Sequence, residues 1–91
     1  MTTIKLDNRS LLSFDGTTVE FFHGGDSRRA HIGAMSNIQI ETDKKGKHWL
    51  SIDKEMESGQ LFNISDQVYT QVSELVAQIQ SAMSSFRADN E

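Results

Sequence analysis

Val68, Val72, Leu75, Val76, Ile79, Met83 and Phe86 follow one another at intervals of four, three, one, three, four and three residues. That spacing holds all of them on one side of a 3.6-residue period, a stripe broad enough to face a core. Opposite it stand Gln67, Thr70, Gln71, Ser73, Glu74, Gln78, Ser81 and Ser84, polar but almost uncharged. The pattern predicts a C-terminal amphipathic helix over about 66–86. Ser65 is placed to accept a backbone N–H at its start, and Asp66 puts a negative charge where the helix dipole favours it. A chain that ends this way must supply an apolar surface for the stripe to cover.

The preceding residues, about 3–64, supply it as short alternating segments. Ile4 and Leu6 alternate with Lys5 and Asp7, and Leu12 and Phe14 follow after Asn8-Arg9. Asp15-Gly16 then stands between two alternating runs, a hairpin signal because both residues tolerate positive φ. Val19 and Phe21 share one face while Glu20 and Phe22 share the other. Gly24-Gly25-Asp26 marks a second turn, and Arg28 to Ile32 reads as a strand with Ala30 and Ile32 inward. Gly33-Ala34 reads as a kink or bulge within strand-like sequence. Ile38, Ile40 and Thr42 alternate up to the charged loop Asp43-Lys44-Lys45-Gly46-Lys47, after which Leu50 and Ile52 continue the alternation with Trp49 and Ser51 on the opposite face. A polar loop over Asp53–Gly59 precedes a last strand containing Phe62 and Ile64. Six or seven short strands followed by one helix define an α+β chain with an antiparallel meander. One helix covers a flat sheet only in part, so a strongly bent sheet or partly open barrel, capped by the helix, accounts better for both apolar surfaces. The 91 residues suit a single domain, 1–91.

In this order, the hairpins, Arg28-Arg29-Ala30-His31-Ile32-Gly33-Ala34-Met35-Ser36-Asn37-Ile38-Gln39-Ile40, the charged turn, the Leu50/Ile52 strand, Leu61-Phe62-Asn63-Ile64 and the terminal helix resemble a small bacterial pleckstrin-homology-like domain of the GRAM type. The likeness is one of pattern and element order and spans nearly the whole chain. It implies a bent antiparallel barrel closed at one end by the helix. Phosphoinositide-binding members carry basic residues around the first hairpin. Here that hairpin is Ser13-Phe14-Asp15-Gly16-Thr17-Thr18, without Lys or Arg, so headgroup binding is not implied for it.

Composition narrows the function classes. The net charge of −4 and pI near 5.2 oppose non-specific binding to nucleic acid or anionic lipid. Cysteine is absent, which removes thiolate metal ligands and thiol nucleophiles. The first residues, Met1 to Asp7, lack the apolar core of a signal peptide, and the longest apolar run, Leu75-Val76-Ala77, is far too short to span a bilayer. A cytoplasmic protein that does not insert in membranes is expected. His23-Gly24-Gly25 is similar to an oxyanion loop of esterases, but the Gly-x-Ser-x-Gly elbow that chemistry needs is missing, so a hairpin turn is the better reading. His23, His31 and His48 show no metal-ligand spacing with one another or with an acid. Asp15, Asp26, Asp43 and Asp53 stand at turns, where backbone geometry alone favours Asp. No metal, cofactor or catalytic residue is assigned, and a small enzyme using a histidine on the barrel rim ranks last among the readings.

Candidate binding residues remain. Lys44, Lys45 and Lys47 beside Trp49 combine positive charge with an aromatic, the pairing used for phosphate and stacking contacts. Flanking Glu41, Asp43 and Asp53 favour a merely solvated hairpin tip. Phe22 and Trp49 break the apolar alternation: either they point outward as candidates for a protein contact, or they pack beneath the helix or against a neighbouring loop. A helix of this length runs about 30 Å, so its last turn, with Met83 and Phe86, is expected to overhang and to meet a partner or to fray. The sequence therefore points to a non-enzymatic module that binds protein or a second copy of itself. The alternative is weak binding of an anionic ligand, lipid headgroup or nucleic acid, through Lys44–Trp49.

Overall fold

In the computed structural model, which describes residues 2–54 and 60–89, the period-two segments form seven strands and the 3.6-residue stripe forms one helix. The elements are β1 (Thr2–Asp7), β2 (Ser10–Phe14), β3 (Thr18–His23), β4 (Asp26–His31), β5 (Met35–Thr42), β6 (His48–Lys54), β7 (Gln60–Ile64) and α1 (Tyr69–Asp89). Asp53 and Lys54 end β6 rather than opening a loop; the rest of the polar loop expected there lies outside the described residues.

The turn signals act as their chemistry requires. The Asp15 carboxylate accepts the N–H groups of Thr17 (2.9 Å) and Thr18 (2.8 Å), closing the β2–β3 hairpin. Gly24 and Gly25, with φ of 58° and 97°, make the two-residue turn between β3 and β4, as a primed hairpin turn demands.

The α+β class and the closing C-terminal helix are as expected, but the strands do not form one continuous bent sheet. They form two antiparallel sheets, β1-β2-β3-β4 and β5-β6-β7, with no closed barrel. The division falls at residues 32–34. There the Ala34 N–H donates to the His31 carbonyl (2.8 Å), and the expected kink or bulge is a turn that takes the chain from one sheet to the next.

One core joins both sheets to the helix. Leu12, Ile38, Leu50, Val72 and Ile79 are each 0% exposed, and Phe14, Phe21, Met35 and Leu75 are buried with them. The helix packs closest on β5 and next on β1, the first strand of each sheet. Gln80 donates through Nε2 to the Ile38 carbonyl (2.7 Å), and Arg87 donates to the Met35 and Ser36 carbonyls (3.2 Å each). Side chains of the helix thus serve the edge of β5 that β6 leaves open.

Both ends of the helix depart from expectation. It begins at Tyr69, because Ser65–Val68 forms a turn in which Val68 and Tyr69 donate to the Ser65 and Asp66 carbonyls, and Asp66 therefore stands outside the first helical turn. At the other end no apolar overhang forms. Met83 is only 5% exposed, and Phe86 sets its ring against Gly33 and edge-on to His31 at 5.3 Å. The turn between the sheets rises to meet the last helical residues, so Met83 and Phe86 pack inward and do not present the expected contact surface. No helix among the described residues is long and apolar enough to cross a membrane.

Candidate binding face around Trp49

The β5–β6 hairpin is folded around one carboxylate. Asp43 Oδ1 accepts the backbone N–H groups of Lys45 and Lys47 (2.9 Å each), and Oδ2 accepts the indole N–H of Trp49 (3.4 Å). Gly46, at φ 84°, completes the turn and donates to the Asp43 carbonyl. The bond from the Lys47 N–H, with those from Trp49 and Lys45, outweighs desolvation and holds the Asp43 carboxyl below the usual 3.8. Asp43 is therefore ionised at neutral pH.

Trp49 stands on the outer face of β6, paired in register with Glu41 on β5 and Asn63 on β7, while Leu50 and Ile52, which follow it, turn into the core. The indole is half-buried and borders an open cavity of about 650 Å³ that Glu41, Thr42 and Asp43 also line. Glu41 accepts one bond from the Gln39 amide (3.0 Å). The three lysines of the turn are exposed, and among the described residues none forms an ion pair with Glu41 or Asp43. The expected union of Lys44, Lys45 and Lys47 with Trp49 is thus redrawn. What flanks the indole is a pair of carboxylates, and Asp43 engages the backbone of the lysines rather than their ammonium groups.

Phe22 lies on the other sheet. It is half-buried on the outer face of β3, opposite Leu11 in the register, and Leu11 is 37% exposed. An Arg29–Glu20 ion pair (3.1 Å) spans the same face. Phe22 and Trp49 therefore mark two separate places on two sheets. Met83 and Phe86 belong to neither.

The fold also assembles a group that spacing along the chain does not suggest. Thr42 and His48 flank the turn symmetrically and are register partners, with Oγ1 and Nδ1 2.9 Å apart. His48 Nε2 lies 3.3 Å from Asp66 Oδ1, and the ring stacks on Tyr69 at 4.1 Å. Since a carboxylate only accepts, Nε2 carries the hydrogen toward Asp66, and the Thr42 hydroxyl pairs with Nδ1. Hydroxyl, imidazole and carboxylate in a row are the parts of a proton relay. Here the row fastens the end of the hairpin to the entry of α1. The signal for it was the mirror placement of Thr42 and His48 about Asp43–Lys47. A similar pair, Ser10 Oγ and His23 Nδ1 at 2.6 Å, joins β2 to β3. Among the described residues no three His, Asp or Glu side chains are grouped to hold a metal.

Comparison with protein-family models, with curated proteins and with solved structures finds no match to this chain.

Proposed function

We propose that this chain is a non-enzymatic protein-binding module of pleckstrin-homology-like type, acting in the cytoplasm through the outer face of β5 and β6. Four strands, three strands and a closing helix, in that order, support the family reading. The observation that carries the binding role is Trp49. The chain's one indole is placed outside the core, half-exposed at the border of a cavity, with polar neighbours that leave room beside it. Large rigid aromatics in such positions anchor protein interfaces. Panning a displayed peptide library against the wild-type chain and against Trp49→Ala tests this. Peptides retained by the wild type and lost with the variant are expected; a library that yields none dependent on Trp49 would overturn the reading.

Self-association through a second surface is favoured by Leu11, which lies exposed beside Phe22. The alternative of an anionic ligand held by Lys44, Lys45, Lys47 and Trp49 has weaker support, because Glu41 and Asp43 border the indole. Binding to anionic vesicles or single-stranded nucleic acid at low salt, abolished when the three lysines are replaced, would restore it.

A further inference from the structure

The cavity beside Trp49 has a chemical character that narrows what its occupant can be. It is lined by Trp49, Glu41, Thr42 and Asp43, so an indole and two acidic residues border the same space. Glu41 and Trp49 are direct register partners across β5 and β6, which sets the carboxylate beside the ring. Asp43 approaches the same ring through its indole N–H. Three lysines follow within the turn, the nearest sources of neutralising charge, yet among the described residues none pairs with either acid. Asp43 instead uses backbone N–H groups, which orient its carboxylate without removing its charge. An aromatic face edged by two carboxylates, Glu41 with no ion-pair partner among the described residues and Asp43 feeling the Lys47 charge only at a distance, suits a cation: the ring quadrupole attracts it, and the carboxylates accept its N–H groups. An anion placed at the same ring would meet both carboxylates.

We infer that the cavity formed by Trp49, Glu41 and Asp43 is a recognition pocket for a basic side chain, lysine or arginine, presented by a protein partner. This rests on the reading of the Trp49 face as a protein-binding surface and names the chemistry of its anchor. The ammonium or guanidinium group lies over the indole, with Glu41 as its principal charge partner. Asp43, already holding three donors, shapes the site and adds field. The lysines of the turn stand outside the pocket and tend to repel a partner rich in basic residues. A single basic anchor in a neutral or mildly acidic segment is the sequence that fits.

Because Trp49 is the chain's only tryptophan, its emission reports the pocket directly. Two Gly/Ser peptides, identical except for a central arginine or glutamate, are titrated against the full chain, and caesium and iodide are compared as quenchers at low ionic strength. The arginine peptide should shift the Trp49 emission saturably, caesium should quench more than iodide once each is scaled to its quenching of free N-acetyltryptophanamide, and Glu41→Gln should weaken the peptide response roughly fivefold. An equal or larger response to the glutamate peptide, stronger quenching by iodide, or no response to millimolar arginine peptide would overturn the inference. Failure here is separable from failure of the broader reading. Panned peptides that depend on Trp49 but carry no lysine or arginine anchor would remove the basic pocket and leave the binding face standing. Absence of any Trp49-dependent peptide would remove both.

Discussion

Single residues hold this fold at places that composition alone would rank as minor. Gly33 is one. A Cβ at that position would lie 2.6 Å from Cε1 of Phe86, closer than real contacts allow, so the absence of a side chain seats the ring. Gly33→Ala should destabilise the chain by about 1–3 kcal/mol through overpacking, read by urea denaturation. In a Phe86→Ala background the same substitution should cost less than about 0.5 kcal/mol. Equal costs in both backgrounds would show that the backbone, rather than the ring, is the cause. Asp7, Asp15 and Asp43 form a second set. Each carboxyl accepts a backbone N–H two or more residues ahead, and each is held below its ordinary 3.8 chiefly by that bond. A folded value below the unfolded one gives stability that is complete above the unfolded value and lost as pH falls through the folded one. The urea midpoint should therefore hold level near neutrality and decline as pH drops below about 4. Asp15→Asn with Asp43→Asn, which keeps an accepting oxygen, should make that decline shallower.

At the level of elements, the helix does the joining. Val72, Leu75 and Ile79 are at most 1% exposed, and their stripe is the surface that both sheets share. Ile79→Ala should cost about 2–5 kcal/mol, the range for a large aliphatic side chain lost from a core. Ala77→Ser on the exposed side should change stability by less than about 0.5 kcal/mol; calorimetric melting of the two variants checks the contrast. The stripe, the Asp-Gly and Gly-Gly turns and the period-two faces were legible because each is written in neighbouring residues. The division into two sheets was not. Ala30, Ile32 and Met35 are buried on both sides of the break, so the apolar pattern runs through residues 32–34, and only the bond from Ala34 to His31 distinguishes a turn from a bulge. The helix start was misplaced for a related reason. Ser65 and Asp66 have the composition of a helix entry, yet Asp66 is drawn to His48, a partner visible only once β6 and β7 are paired. The alternation showed that Trp49 lies on the face opposite Leu50 and Ile52, but left its exposure open. The acids at its side were not legible, because the aim of Asp43 follows from the closed turn.

Across the whole molecule, the open edges and the Leu11–Phe22 face decide whether copies associate. Arg28 stands opposite Phe21 in the register, on the core side of the free strand β4, and is exposed there. A charge in that position discourages a second strand from pairing with the edge. If copies of the chain associate, Leu11→Ser with Phe22→Ser should abolish the dimer in sedimentation while Arg28→Ala should leave it intact; the reverse result would place the contact on the edge. The edge of β5 is protected differently, by Gln80 and Arg87. In a map of tolerated substitutions, these two positions should stand out from the polar helix residues around them. Their side chains supply hydrogens that a neighbouring strand would otherwise give, so even a change that keeps them hydrophilic removes part of the border of a sheet.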